Sequence, residues 1–488
     1  MPYLLEGISS ARNVWRHVVL GSEVSGPMHR RLLLITALLA ALLVPVGSAP
    51  ASHRQTMSFE APRDFLDPAA RDTAFDDVAS FGVHSIRLVM YWRDVAPDAK
   101  SRVKPKFDAT DPAAYDWSRY EPVLDAAKAR GWSVLLTLSG PVPRWATNGA
   151  RDTVTRPSPN EFRMFVTAAA KHFGDRVTTW SIWNEPNHPD FLRPQFSRGH
   201  KPLSPRLYRK LYFAAIRGFS RAGVTPDVLV GETAPRGTGK VVAPLTFLRG
   251  VLCLDSRYNA RGKCKALPAA GYAHHAYTTR KGPFFKPPGP NDVTIGVLSR
   301  LTRALDHAAR AHRIARGMSV WLTEFGIQSK PDPLLGVSLA RQAEYQAISE
   351  RIAYNNPRVV AFSQYLLRDD LPRRGPRLAR YGGFESGLLT SGGKPKPAMQ
   401  SFRLPLAAKR RGSRATLWGL IRPAGGSTSA VVLVADRHKP FHKLRTITTS
   451  ASGYWHLRTG YRSGRRFRVE WTAPDGTVFR GPPIRAYR

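Results

Sequence analysis

Two glutamates in this sequence each close an apolar segment and carry chemistry that a pair of carboxyl groups can perform together. Glu185 lies in WSIWNEPN and Glu324 lies in SVWLTEFG. One carboxyl of such a pair can donate a proton to a leaving oxygen, while the other attacks or stabilises an oxocarbenium-like carbon. The two residues therefore indicate cleavage of a glycosidic bond, provided that the fold brings their side chains face to face.

The elements that must bring them together are eight repeats of an apolar strand followed by an amphipathic helix. Strands are predicted at 55–62, 85–92, 132–140, 177–186, 227–235, 271–277, 319–326 and 359–367. Continuous apolar strands that alternate with helices are typical of a parallel sheet covered on both faces. Eight such units favour an α/β fold of the (β/α)8 TIM-barrel type, in which reactive side chains stand at the carboxyl ends of strands. Glu185 would end the fourth strand and Glu324 the seventh.

The chain divides into three regions. We predict a leader and signal peptide at 1–51, a catalytic (β/α)8 barrel at 52–409 and a basic accessory domain at 410–488. The last region contains short strands separated by Gly, Pro and Ser, a pattern typical of a small all-β sandwich. With 42% hydrophobic and 22% charged residues, the composition excludes a disordered, collagen-like or coiled-coil protein.

The amino-terminal region has the pattern of an export signal. A basic start at Met28 to Arg31 precedes an apolar run at 32–46 and a small-residue site at 49–51. The run is shorter than the ~20 residues that a membrane-spanning helix needs. The pattern therefore predicts a cleaved signal peptide and a secreted or cell-surface protein without a stable membrane span. An uncleaved anchor is the alternative.

The charge balance is strongly basic, with 74 Lys and Arg against 35 Asp and Glu and a formal net charge of +39. A field of this sign attracts polyanions. Because the basic excess is densest in residues 410–488, we expect this region to bind an anionic cell-surface polymer. Alternatively, the positive charge reflects the general amino-acid composition of an Arg-rich proteome. The export signal and the lack of a recognisable binding motif argue against nucleic acid.

The two cysteines, Cys253 and Cys264, are too few for a disulfide scaffold or a thiolate metal cluster. Export would permit a disulfide between them, and two free thiols are the alternative. Neither the cysteine nor the histidine spacing forms a set of metal ligands. We therefore predict no metal and no organic cofactor.

The motifs around the two glutamates resemble those of a known group of enzymes. WNEP at the end of strand four and TEFG at the end of strand seven are similar to the motifs of retaining glycoside hydrolases of clan A. That clan includes the cellulase-like family 5 and family 39. The tail GLLTSGGKPKPAMQSF after the eighth unit is also similar to clan members. The resemblance implies that Glu185 is the acid/base and Glu324 the nucleophile.

The same resemblance assigns supporting residues. It implies that Asn184 hydrogen-bonds the sugar 2-hydroxyl and that Arg87, near the end of strand two, orients the nucleophile. His275-Ala276-Tyr277 is similar to the H-x-Y motif on strand six, whose Tyr hydrogen-bonds the nucleophile. Because Arg87 and Tyr277 would surround Glu324, they would favour its charged form.

Three expectations concern the surroundings of the glutamates. Glu185, flanked by Trp183 and Pro186 with few positive partners, is expected to have a raised pKa, as a proton donor needs. Alternation leaves open whether His274 or His275 points inward. Glu60 and Glu232 also end strands, and for each a structural salt bridge is favoured over contact with substrate.

The aromatic residues that would bind the sugar are less clearly marked. Trp145 is a candidate stacking platform, and aromatic packing at the rim is its alternative. Clan members place a Trp at the end of strand eight, whereas FSQYLLRDD leaves Gln364 or Tyr365 at that position. Tyr365 is the substrate-binding candidate of the two.

These observations predict a secreted glycosidase that hydrolyses O-glycosyl bonds of a polysaccharide or oligosaccharide with retention of configuration. The alternative from another class is a non-catalytic carbohydrate-binding barrel at the cell surface, which would keep an aromatic mouth but lose the geometry between the two carboxyls.

Overall fold

The computed structural model describes residues 55–488, and their first part is a closed barrel of eight parallel strands in sequential order. The strands are β1 Thr56–Glu60, β2 Ser85–Tyr91, β3 Ser133–Ser139, β4 Thr179–Ile182, β5 Asp227–Thr233, β6 Gly271–His275, β7 Ser319–Phe325 and β8 Val359–Tyr365. Pairing of β1 with β8 closes the barrel. The predicted (β/α)8 fold is confirmed. The predicted signal peptide lies outside the described residues.

Ten α-helices accompany the strands of the barrel. They are α1 Pro62–Phe65, α2 Arg71–Ser80, α3 Glu121–Ala129, α4 Pro159–Phe173, α5 Ser204–Arg221, α6 Pro244–Val251, α7 Leu298–Arg310, α8 Leu339–Tyr354, α9 Arg377–Arg380 and α10 Pro397–Arg403. Among residues 55–488, no helix has the length and apolar character that crossing a membrane requires.

Serine side chains cap the starts of two of the longer helices. The Ser158 hydroxyl accepts a hydrogen bond of 3.3 Å from the amide of Glu161 and so caps α4, while Pro159 occupies its first turn. Ser338 caps α8 in the same way, accepting from the amide of Arg341. These caps fix where each helix begins and therefore how long the preceding strand-to-helix loop is.

Alternation along the strands separates an inner from an outer core. Leu135, Leu229 and Ala273 form a small buried cluster of their own. Because β4 separates β3 from β5 and β6 in the barrel order, Leu135 meets the other two only inside the barrel. Their neighbours Leu136 and Val230 belong to the large cluster that includes the helices. Because side chains alternate between the two faces, Arg87, which pairs with Leu135 in register, also points into the barrel.

The chain ends in two antiparallel sheets. One contains β9 Leu406–Arg411, β10 Arg414–Leu420 and β13 Tyr454–Gly460; the other contains β11 Ser429–Ala435, β12 His442–Thr448, β14 Arg466–Thr472, β15 Val478–Arg480 and β16 Ile484–Arg485. Both sheets contribute to one buried apolar cluster, for example Leu417 from the first and Phe467 from the second. This arrangement confirms the all-β region, and β9 spans the predicted boundary at 409/410.

Buried contacts join the barrel to the all-β region. Arg422 donates to both carboxylate oxygens of Glu350 on α8, at 2.6 and 2.7 Å, and both side chains are almost completely buried. Burial raises the pKa of Glu350 above its ordinary value in spite of the arginine. Tyr354, Trp418 and Tyr454 pack together beside this pair. The two parts therefore share a buried interface.

Cys253 and Cys264 form a disulfide. The bridge lies in the loop between α6 and β6, so the alternative of two free thiols is excluded.

Candidate active site

The two glutamates meet at the mouth of the barrel. Glu185 follows β4 by three residues and Glu324 is the penultimate residue of β7. The Nδ1 atom of His275 lies 2.9 Å from Oε1 of Glu185 and 3.4 Å from Oε2 of Glu324. The two carboxylate oxygens are therefore at most about 6.3 Å apart, the sum of these distances. Their side chains are 17% and 11% exposed, so solvent and ligands reach both.

Unusual backbone geometry aims Glu185 into the mouth. Trp183 and Glu185 have positive φ angles of 73° and 39°, a region that costs free energy for residues other than glycine. Hydrogen bonds hold this turn: the amide of Glu185 donates to the carbonyl of Glu232 at 3.0 Å, and the amide of Asn184 donates to the Ser139 hydroxyl at 3.0 Å. The neighbouring strands thus stabilise a conformation that the NEP segment alone would not favour.

Arg87 lies beneath the glutamates and binds several acceptors at once. Its guanidinium donates to Oε2 of Glu324 at 3.1 Å and to Oε2 of Glu232 at 2.7 Å. It also donates to Oδ1 of Asn184 at 2.8 Å and contacts Glu60. Arg87 is completely buried. It therefore orients both Glu324 and Asn184, and the expected structural salt bridges of Glu60 and Glu232 are present.

The strand-six residues lie where the H-x-Y resemblance implies. Tyr277 donates its hydroxyl hydrogen to Oε1 of Glu324 at 2.8 Å. His275 contacts both glutamates, whereas His274 is bound to the Thr233 hydroxyl and the Val293 carbonyl. The structure thus decides between the two histidines in favour of His275. Irregular register at the ends of β5, β6 and β7 accompanies this choice.

The expected pKa of Glu185 is wrong in direction. Burial does raise it, but the hydrogen bond and the positive charge of His275 outweigh burial and leave the pKa of Glu185 below its ordinary value. Burial lowers the pKa of His275, yet Glu324 and Glu185 together hold that pKa above its ordinary value. The contact therefore favours the charged forms of both groups, with a proton on His275 over one on Glu185.

Burial shifts a second carboxyl near Glu324, that of Glu60, towards its neutral form. Three buried carboxyls, Glu60, Glu232 and Glu324, share the single guanidinium of Arg87. One positive charge cannot compensate three negative charges in a dry environment. Burial, opposed by Arg87 and reinforced by Glu324, raises the pKa of Glu60 to about 8.

Tyr365 takes the strand-eight position at the mouth. Its ring packs edge-on to Tyr277 at 6.4 Å and to Phe384 at 4.9 Å. Gln364 is buried and bonded instead to Gln346 and to neighbouring carbonyls. Of the two residues that replace the clan's usual tryptophan, Tyr365 is thus the one beside the reacting groups.

Trp145 does not serve as the expected stacking platform. Only 8% of this residue is exposed, and its ring lies edge-on to Trp92 and Phe107. Its indole N–H donates to the Pro97 carbonyl at 3.1 Å. The structure therefore corrects the expectation, because packing in a rim cluster leaves no ring face for a sugar.

Sequence reasoning missed one residue of the mouth, Tyr91 at the end of β2. Burial, together with the charges of Glu60 and Glu324, raises the pKa of its phenol. Alternation in SIRLVMY places Tyr91 on the same face as Arg87, so the signal was present. Within residues 55–488 no cluster of His, Cys, Asp and Glu has the arrangement of a metal site.

A family model matches the first part of the barrel. Residues 49–193, which contain β1 to β4 and Glu185, match the family model described as cellulase, glycosyl hydrolase family 5. Over these residues the chain is similar to the cellulase-like family of clan A. This confirms the resemblance that the WNEP and TEFG motifs indicate. No curated protein matches the sequence.

Two solved structures have a fold similar to that of this chain. The GH39 enzyme from Xanthomonas axonopodis pv. citri is 16% identical, with a TM-score of 0.50, and the alignment covers 90% of this chain and 100% of that one. The glucosidase from Croceicoccus marinus is 12% identical with a TM-score of 0.50, and the alignment covers 87% and 96%. At these identities the likeness shows the fold.

Proposed function

We propose that the protein is a retaining glycoside hydrolase that cleaves O-glycosidic bonds of an oligosaccharide or polysaccharide. The observation that carries the proposal is the shared contact of Glu185 and Glu324 with Nδ1 of His275. It limits the separation of the two nearest oxygens to about 6.3 Å. Retaining enzymes hold their carboxyls ~5–5.5 Å apart and inverting enzymes ~6.5–9.5 Å apart. The bound is compatible with the shorter separation of retaining enzymes.

In the first step of the proposed reaction, Glu324 attacks the anomeric carbon while the bond to the leaving oxygen breaks. The leaving oxygen takes a proton from Glu185, which receives that proton from His275 across their 2.9 Å contact and ends the step as a carboxylate. Tyr277 and Arg87 hold the carboxylate of Glu324 from its two oxygens. The product of this step is a glycosyl ester on Glu324, and the aglycone leaves as the alcohol.

In the second step, Glu185 removes a proton from water and the resulting oxygen attacks the same carbon. The ester bond to Glu324 breaks, so the sugar is released with its original configuration. Asn184 is fixed through its Oδ1 by Arg87, and within residues 55–488 its side-chain nitrogen, Nδ2, makes no hydrogen bond. That N–H group is therefore free to bind the sugar 2-hydroxyl.

Hydrolysis of a panel of aryl glycosides by the wild type and by Glu324→Gln tests the enzyme. We expect turnover of at least one glycoside, its loss in the variant, and first release of the retained anomer in NMR spectra. An inverted product would overturn the assigned roles. No turnover on any sugar, combined with binding of sugars, would favour the non-catalytic carbohydrate-binding barrel.

Two further parts of the proposal concern location and partners. We propose export directed by residues 28–51, tested by amino-terminal sequencing of the protein from the culture medium; sequence beginning near Ser52 is expected.

We also propose that residues 410–488 bind an anionic cell-surface polymer. The affinity of the full-length protein for an anionic polymer should fall as salt rises, and Arg-to-Ser substitutions in this region should weaken that affinity. Equal affinity for a neutral polymer would contradict the proposal.

A further inference from the structure

A basic cleft lies on the outside of the barrel, apart from the mouth. It is a cavity of about 790 Å³ between α5 and the disulfide loop that follows α6. A volume of this order is typical of ligand sites, which span ~300–1,000 Å³. Six of its lining residues are cationic, namely Arg206, Arg209, Lys210, Arg217, Lys263 and Lys265, and its lining contains no Asp or Glu.

The cations of the basic cleft have no carboxylate partners within residues 55–488. Arg209 donates instead to the carbonyls of Val251 and Lys265, at 2.8 and 2.6 Å. The side chains of the other five make no hydrogen bond or salt bridge in the described part of the chain, and all five are exposed. Like charges gathered in one concave surface repel each other, and a polyanion relieves that repulsion.

The basic cleft is held in shape by the protein itself. The Cys253–Cys264 disulfide closes the loop that forms one wall. Arg313 donates to the carbonyls of Cys264 and Gly262, and Arg209 ties Lys265 to α5. Lys263 and Lys265 therefore belong to a loop fixed against α5, which reduces the ordering cost of binding.

The floor of the basic cleft combines charge with an aromatic ring. The guanidinium carbon of Arg209 lies 4.7 Å from the centre of the Phe213 ring, and Phe213 lines the cavity. An aromatic ring beside cations suits a ligand that has an apolar sugar face and anionic substituents. Nucleic acid would use the same charges, but a single ring gives little stacking for successive bases.

We propose that the basic cleft binds an acidic saccharide chain through its carboxylate or sulfate groups, as a second binding site remote from the two glutamates. The choice of a saccharide rests on the proposed function, whereas the anionic chemistry rests on the cleft alone. Such a site would keep an acidic polymer on the protein while the mouth acts on a glycosidic bond.

The experiment measures binding by calorimetry in the Glu324→Gln background, which prevents hydrolysis under the proposed mechanism. The probes are oligogalacturonate for carboxylates, a heparin fragment for sulfates, a neutral cello-oligosaccharide and a single-stranded DNA oligonucleotide of equal charge. The test variant is Lys210→Glu with Arg217→Glu. The matched control is Arg303→Glu with Arg316→Glu, which makes the same change in net charge at exposed positions outside the cleft.

We expect at least one acidic saccharide to bind, with a Kd that the test variant weakens about tenfold and the control leaves nearly unchanged. Preference for oligogalacturonate or for heparin identifies the anionic group. Equal weakening in both variants, equal binding of the neutral saccharide, or tighter binding of DNA would overturn the proposal.

Hydrolysis of aryl glycosides separates the two proposals. Proteins with the natural Glu324 and either pair of substitutions should retain wild-type rates, which also shows that they fold. If the Glu324→Gln protein with an unaltered cleft binds no acidic saccharide while the wild type hydrolyses aryl glycosides normally, only the basic-cleft proposal is overturned. Lack of hydrolysis in every protein would contradict the proposed function. The binding comparison would still test whether the basic cleft binds an acidic saccharide.

Discussion

The imidazole of His275 lies 2.9 Å from the carboxylate of Glu185 and reverses the effect that burial alone would have on that carboxyl. Under the proposed mechanism, Glu185 is thus a proton donor that obtains its proton from His275. The alkaline limb of activity should follow His275, whose protonated form persists above its ordinary pKa of 6.5 because of Glu324 and Glu185, against the opposing effect of burial.

Replacing His275 by Asn should raise the pKa of Glu185. The substitution removes the positive charge that lowers this pKa and leaves burial as the main influence. Titration of 13C-labelled glutamate carboxyls by NMR would measure the shift, with Glu185→Gln used for assignment. His312→Asn, at an exposed position, is the control and should change nothing. An unchanged or lower Glu185 pKa in the His275 variant would contradict the pairing.

Replacing Glu60 by Gln should remove a pH transition near 8. The folded-state pKa of Glu60 is raised from 4.5 to about 8, so its contribution to stability is complete below pH 4.5 and is lost as pH rises through 8. Above that pH a further negative charge also appears beside Glu324. Unfolding free energies of both proteins by urea denaturation, measured from pH 5 to 9, should differ progressively as pH rises.

Activity measured over the same pH range is the second readout for Glu60. Glutamine resembles the neutral carboxyl, so the variant should keep its activity near neutrality and lose the component of the alkaline decline near pH 8. Parallel stability curves and identical pH profiles for the two proteins would show that Glu60 is already charged at neutral pH.

Replacing Tyr277 by Phe should lower kcat more than it changes KM. The phenol donates to Oε1 of Glu324 at 2.8 Å, and loss of one preorganised donor to a reacting oxygen costs about 100-fold in favourable cases. Tyr365→Phe is the matched control, because within residues 55–488 its hydroxyl makes no hydrogen bond. Steady-state kinetics on an aryl glycoside would compare the two. Equal kcat values in the wild type and Tyr277→Phe would contradict the positioning role.

The sequence was sufficient for the barrel and its two glutamates because both depend on repeating local patterns. All eight predicted strands overlap the observed ones, and alternation within each strand fixes which side chains point inward. Glu185 and Glu324 follow from strand ends alone. Arg87 and Tyr277 contact Glu324 as the motif resemblance implied.

The sequence was insufficient where a result depends on contacts between distant segments. Alternation alone did not distinguish His274 from His275, because the register of β6 with its neighbours is irregular at that point. The pKa of Glu185 was misjudged because its decisive partner comes from β6, 90 residues away. Trp145 was misjudged because its exposure depends on how long loops pack over the barrel.

The pair Glu350–Arg422 gives a prediction for stability. Removing one partner leaves an uncompensated buried charge, which costs about 3–5 kcal/mol. Glu350→Leu and Arg422→Met should therefore each lower the unfolding free energy strongly. The double variant should lose less than the sum, because two apolar side chains leave no unpaired charge. Urea denaturation of the four proteins gives the coupling free energy.

The exposed pair Lys128–Asp175, at 2.6 Å, provides a matched control for that cycle. Its side chains are 54% and 63% exposed, so water screens both charges and their removal should change stability little. A single transition in each denaturation curve is expected, since the buried interface of Glu350 and Arg422 joins the barrel to the all-β region. Single variants as stable as the control, or two separate transitions in the wild type, would contradict a cooperative unit held together at this interface.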